Sequence, residues 1–158
     1  MATKKALWEQ TIKLFEKNCL SVTSKEEILK LAVNSMEKLP HFHWTGIYWL
    51  TNEKLVLNYY IGKPTDHTEI NIGHGVCGTA VLENRDIIID DVLKINNYLA
   101  CSSKTRSEIV VLIKKRDGTI LGQIDVDSDE IGAFDELDRS NMELIARKIS
   151  EFLENKGF

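Results

Sequence analysis

Apolar residues recur at helical spacing at both ends of this chain and at strand spacing between them. Trp8, Ile12, Phe15 and Cys19 fall at i, i+4, i+7 and i+11, which predicts a helix over 4–20 with one apolar stripe. Ser24 followed by Glu27 is a capping-box signature. It predicts a second helix, with Ile28, Leu31, Ala32, Ser35 and Leu39 facing inward and Pro40 as its stop. From His43 to Leu50 the period drops to two. Trp44, Gly46 and Tyr48 share one face of the expected strand, and Thr45, Ile47 and Trp49 share the other. Two amphipathic rings flanking a bare glycine predict a wall with a notch, with ordinary core packing as the competing reading. Asn52-Glu53 marks a turn, and 55–61 is the returning strand. The polar stretch 62–71 reads as a loop placed to act as a lid. A short helix over 76–83 follows, entered through Gly73 and Gly75, with Cys77 in its first turn. Residues 85–90 read as a strand with a buried Ile-Ile-Ile centre, and 91–100 as an irregular or briefly helical segment that delivers Cys101.

A hairpin comes next. Asp117-Gly118 predicts a two-residue type I′ turn between strands over 108–115 and 119–127. Pairing Arg116 with Thr119 sets Glu108 opposite Asp127 and Val110 opposite Asp125. Glu108, Asp125 and Asp127 then lie on one face. Like charges directly opposite destabilise a sheet, and burial raises the cost. One reading is that this face is solvated while Ile109, Val111, Ile124 and Val126 serve the core from the other side. The other is that the face is buried and an acid is protonated there, or a cation is bound. A last helix is expected from Asp135, its N-cap, to Asn155, with Leu137, Leu144, Ile145, Ile149 and Phe152 inward. The element order predicts an α+β fold, an antiparallel sheet with terminal helices packed on it. No repeat, linker or second domain is expected.

Composition narrows the class. A length of 158 residues suits one domain with a sizeable core. A net charge of −4 gives no footprint for nucleic acid or an anionic membrane. No apolar run approaches a bilayer span, and no apolar stretch follows Lys4 and Lys5, so the expected compartment is the cytoplasm. Stable disulfides are uncommon there. Cys19 sits on the first helical stripe and reads as a small buried hydrophobe. Cys77 and Cys101 lie 24 residues apart, each beside small residues. Three readings compete for them: inert buried thiols, a metal site recruiting His74 and His67, or a redox pair. No Cys-x-x-Cys is present, and no metal is expected. The first turn of a helix favours a thiolate at Cys77. Ser102, Ser103, Lys104 and Arg106 make a polar, cationic run that lowers a thiol pKa at Cys101. His41, His43, His67 and His74 each read as surface or hydrogen-bonded groups.

Six motifs occur in order: Trp-Thr-Gly-Ile-Tyr (44–48), Gly-Lys-Pro (62–64), Gly-His-Gly-Val-Cys-Gly-Thr-Ala (73–80), Ala-Cys (100–101), Ser-Glu-Ile-Val (107–110) and Gly-Gln-Ile-Asp-Val-Asp-Ser (122–128). As an ordered set over nearly the whole chain, they resemble the GAF-domain free methionine-(R)-sulfoxide reductases. The resemblance implies one GAF domain over 1–158, with a six-stranded antiparallel sheet, N- and C-terminal helices packed on one face, and a homodimer. It implies free methionine sulfoxide as substrate, thioredoxin as reductant, and no metal or organic cofactor. It makes Cys101 the catalytic thiol and Cys77 the resolving one, with Glu108 or Asp127 supplying the proton. Asp125 would help hold the substrate amino group, and Trp44 and Tyr48 would line an aromatic pocket. Family members carry a further cysteine shortly after the Gly-Lys motif, where this chain has Asp66 or His67. A GAF module that senses a small ligand without catalysis is the alternative expectation.

Overall fold

The computed structural model describes residues 1–96, 98 and 103–158; Cys101 lies outside the described residues. Among the described residues there are four α-helices and six strands, and all but the third strand follow the order read from the sequence. They are α1 (Lys4–Cys19), α2 (Lys25–Met36), β1 (Trp44–Thr51), β2 (Lys54–Ile61), β3 (Glu69–Asn71), α3 (Gly75–Glu83), β4 (Ile87–Ile89), β5 (Ser107–Lys114), β6 (Ile120–Ser128) and α4 (Glu136–Asn155). The strands form one sheet in the order β3-β2-β1-β6-β5-β4, every neighbouring pair antiparallel.

Strand alternation splits the interior in two. On one face Ile47, Ile109, Val111, Ile124 and Val126 pack against Trp8 and Phe15 of α1, Leu29 and Met36 of α2, and Ile145 and Ile149 of α4. On the other, Tyr48, Val110 and Leu112 pack against Val76, Cys77 and Ala80 of α3. The α+β architecture with N- and C-terminal helices on one face is therefore the observed one. Among the described α-helices, α3 is the one that covers the second face, and that face carries the site. No helix among the described residues is long and apolar enough to cross a membrane.

Four local expectations need correction. The α2 helix ends at Met36, before Pro40 acts, with Glu37 as its C-cap. Its N-terminal box is also offset: Ser24 accepts from the Glu27 amide, but the Glu27 carboxylate takes the Thr23 amide at 2.8 Å. Within the polar 62–71 stretch, Glu69–Asn71 is an edge strand against β2. Its single buried side chain, Ile70, is too short a pattern to show a period.

The β5–β6 turn is the fourth. Lys115 N donates to Thr119 O at 2.9 Å and Gly118 N donates to Lys115 O at 3.0 Å. Gly118 has φ +92°. This is a three-residue Arg116-Asp117-Gly118 connection, not a two-residue type I′ turn. It shifts the pairing by one residue, so Lys114 faces Ile120. Leu121 then sits as an extra residue in β6, and Ile113 faces Gly122. The bulge cancels the shift, so Glu108 faces Asp127 and Val110 faces Asp125 as the sequence suggested. Without the bulge every side chain beyond would reverse faces, sending Ile109 and Val111 out of the core. The two-residue turn forms instead at Asn52-Glu53, where φ is +48° and +66°.

Candidate active site

Three central strands present their site-facing residues in rows. Trp44, Asp127 and Glu108 make one row across β1, β6 and β5. Gly46, Asp125 and Val110 make the next, and Tyr48, Gln123 and Leu112 the third. This face is dry: Glu108 is 2%, Asp127 1% and Asp125 0% exposed. The reading in which the acids are solvated is overturned. Both faces of the hairpin are interior because α3 covers this one.

The first turn of α3 sets Cys77 directly on the acids. Its Sγ donates to Glu108 Oε1 at 3.7 Å. One ligating atom each from Cys77, Glu108 and Asp125 lie within 4.8 Å of one another. Two contacts hold the helix this close. Gln123 Nε2 donates to the Cys77 carbonyl at 3.2 Å. Gly78 packs so tightly that a Cβ there would stand 2.4 Å from Asn71 O. Cys77 acts as a thiol donor in this position.

Burial pushes the Glu108 carboxyl well above the usual range, and the charges of Asp125 and Asp127 add to it. Burial also raises Asp125, against hydrogen bonds from Glu108 and Cys77 that favour its charged form. The two acids thus share a proton, and Glu108 is the group that carries it onto Asp125. Tyr98 faces the same cluster: burial first, then Asp127, Glu108 and Asp125, push its phenol up and keep it protonated. Asp127 reaches a cavity of about 40 Å³ bounded by Trp44, Lys63 and Thr105.

The aromatic wall differs from its expectation in one respect. The notch at Gly46 is occupied by the Trp44 indole itself. A Cβ on Gly46 would sit 2.4 Å from Trp44 Cη2. The indole stacks on Tyr60 at 5.4 Å between centroids and lies 6.4 Å from Tyr48. Trp44 Nε1 donates to Lys63 O at 3.1 Å, and Tyr48 OH donates to His67 O at 2.7 Å. Leu57 N donates to Thr68 O at 2.8 Å. These bonds tie the 62–71 segment down along its length, so in this structure it is an anchored wall rather than a lid. Gly46→Ala is expected to push the indole off this seat and cost about 1–3 kcal/mol, as overpacking does. Urea denaturation with near-ultraviolet circular dichroism measures both. An unchanged midpoint and aromatic spectrum would refute the seating.

The structure thus brings together Cys77, Glu108 and Asp125, with Asp127 and Trp44 in the adjoining row and Tyr48 beyond. Reading the sequence missed three contributors. Gln123 shares the parity of Asp125 and Asp127, and that period was a usable signal. Tyr60 stacks across a strand pair whose register shifts between Ile47 and Tyr48, so counting from the turn misplaces it. Tyr98 lies in a stretch of sequence where no apolar period exists to read.

Comparison with known proteins places this arrangement. The GAF domain family model matches residues 22–154. GAF domain-containing protein A of Dictyostelium discoideum is 42% identical over 108 residues, 68% of this chain and 67% of that protein. Free methionine-R-sulfoxide reductase of Escherichia coli is 35% identical over 118 residues, 74% of this chain and 70% of that protein. The crystal structure of free methionine-R-sulfoxide reductase from Neisseria meningitidis in complex with its substrate superposes with a TM-score of 0.90 at 29% identity, covering 98% of this chain and 92% of that one. A likeness that runs through both the sequence and the fold leaves one assignment: the chain belongs to the GAF domain family and, within it, to the free methionine-R-sulfoxide reductases.

Proposed function

We propose that this protein reduces free L-methionine (R)-sulfoxide to L-methionine, using Cys101 as nucleophile and Glu108 as proton donor. The observation that carries the reading is the buried Cys77–Glu108–Asp125 group, a thiol against a carboxyl pair that holds a proton near neutrality. A sulfoxide oxygen needs such a proton as its bond to sulfur breaks. The Cys101 thiolate attacks the sulfoxide sulfur, and Glu108, with Asp127 as the alternative donor, protonates the oxygen. The oxygen passes to Cys101 as a sulfenic acid, and methionine leaves with the sulfur electron pair. The Cys77 thiol then attacks that sulfenic sulfur, releasing water and forming a Cys77–Cys101 disulfide. Thioredoxin reduces it by thiol–disulfide exchange.

Asp125 helps to hold the substrate ammonium, and Trp44 and Tyr48 enclose the S-methyl end, where sulfur–aromatic contact suits a thioether product. Residues 1–158 act as one GAF domain in a cytoplasmic homodimer that needs no metal or organic cofactor. Support for the substrate comes from the burial of all three acids and from relatives that carry the name free methionine-R-sulfoxide reductase. Cys101 takes its role from its place in the motif.

Purified protein supplied with each sulfoxide epimer and a dithiol tests the reading. Methionine should form from the (R) epimer only. Without the dithiol, two thiols should disappear for each methionine released. No methionine, or undiminished formation by protein with its thiols alkylated, would end the proposal. A module that only sensed its ligand would bind without losing thiols.

A further inference from the structure

We propose that Cys77, Glu108 and Asp125 form a three-ligand site for a zinc-class divalent cation. Binding stands on geometry alone. Its consequence, inhibition of the enzyme, rests on the reductase reading.

The three ligating atoms lie within 4.8 Å of one another, and each comes from a different element: the first turn of α3, the start of β5 and the middle of β6. They are assembled by the fold before any ion arrives. Tetrahedral zinc, at about 2.3 Å from sulfur and about 2.0 Å from oxygen, has a sulfur–oxygen edge of about 3.5 Å. The Cys77 Sγ to Glu108 Oε1 separation is 3.7 Å, so little movement is needed to close on the ion. Two buried acceptors at the site have no hydrogen-bond partner among the described residues: Glu108 Oε2, and Oε1 of Gln123, whose amide nitrogen holds the Cys77 carbonyl. The first is a lone pair on one of the three ligand side chains that a cation would satisfy; the second belongs to a neutral side chain outside the acid cluster, two residues from Asp125 on the same face of β6.

Donor chemistry selects the metal. One thiolate and two carboxylates in a dry pocket suit zinc or cadmium, with a fourth position left open. Magnesium keeps its waters and prefers oxygen in octahedral geometry, which this enclosure disfavours. On binding, metal–sulfur and metal–oxygen bonds form while the thiol proton and the shared carboxyl proton leave. No electrons move. The ion thereby removes both the proton the reduction needs and the thiol that resolves it, and converting Cys77 to a disulfide would release the metal.

Titration of the fully reduced, unmutated protein with cadmium chloride tests this. The ultraviolet thiolate-to-cadmium charge-transfer band should grow and saturate at about one equivalent. Alkylation followed by peptide mapping should show Cys77 protected by the ion, which assigns the thiol without a mutation. Glu108→Gln should weaken binding at least tenfold. Zinc should abolish sulfoxide reduction, a chelator should restore it, and magnesium should do neither. No band, or a band with Cys77 still open to alkylation, would overturn the proposal. The absorbance and mapping readouts do not depend on turnover, so failure of the metal site and failure of the reductase reading give different results.

Discussion

Glu108→Gln is expected to melt at a higher temperature than the parent protein at pH 8 and to lose most of its reductase activity. The carboxyl is 2% exposed, and burial and the charges of Asp125 and Asp127 raise its pKa well above the unfolded value of 4.5. Below about pH 4.5 it is protonated in both the folded and the unfolded chain, so it imposes no penalty there. As pH rises from that point the unfolded chain gives up its proton and the folded one keeps it. Stability then falls with pH until the folded value is passed. Gln is neutral throughout and its amide can still donate to Asp125. The variant should therefore match the parent near pH 4 and gain about 1–3 kcal/mol at pH 8. Each kcal/mol is about 2–4 °C for a chain of this size. The catalytic loss should be about 10²–10⁴-fold in kcat, the usual contribution of a positioned acid. Melting curves at the two pH values, paired with sulfoxide assays, check both halves. A variant with parental activity would remove Glu108 from the chemistry. One with no gain at pH 8 would mean the carboxyl is not strained by its neighbours.

Asp138→Ala should do the reverse, costing stability without touching the site. Asp138 lies at the start of α4 and is fully buried, yet it is charged. Its Oδ1 accepts from Trp8 Nε1 and His41 Nε2, each at 2.8 Å. Its Oδ2 accepts from Lys4 Nζ at 2.8 Å and from the Asp135 amide at 3.0 Å, completing a capping box. One carboxylate thus fastens α1, the segment before β1 and the N-terminus of α4 together. Burial alone would raise its pKa, but the bonds from His41, Lys4 and Trp8 outweigh that and hold it below the usual range. Truncation leaves Trp8 Nε1 and His41 Nε2 without their acceptor in the interior, while the half-exposed Lys4 keeps Ala133 O at 3.1 Å and Asp135 Oδ2 at 3.2 Å. The expected loss is about 3–5 kcal/mol, read by urea denaturation at neutral pH. With a depressed folded pKa, the stabilisation is present above the unfolded value of 3.8 and is lost as pH falls through the folded one. The parent should therefore weaken in acid, and Asp138→Asn should show a flatter acid limb. A loss under about 1 kcal/mol would mean that the ion network contributes no more than an exposed pair.

These two buried acids mark where the sequence stops being informative. Both are Asp or Glu at a strand or helix start, and nothing local distinguishes them. One is raised and one lowered because of what other parts of the chain bring to them. Lys4, Trp8 and His41 reach Asp138 from residues far away in sequence. The acid face of β5 and β6 is dry because α3 lies over it, 31 residues before Glu108 at the Cys77 contact.

The sequence by itself determined the stripes of α1 and α4, the two faces of β1, and the fact that Glu108, Asp125 and Asp127 share a side. Those properties follow from backbone periods of 3.6 and 2, which are written residue by residue. Its ordered motifs also identified the family. It could not show that the β5–β6 turn has three residues, because the Leu121 bulge hides that shift from everything beyond it. It could not show that the Gly46 notch is filled by the ring two residues earlier. Above all, it could not show whether the acids meet water or a thiol. Periodicity fixes which way a side chain points. Only the packing of distant elements decides what it meets there, and the dielectric and charge of that surrounding set where its proton resides.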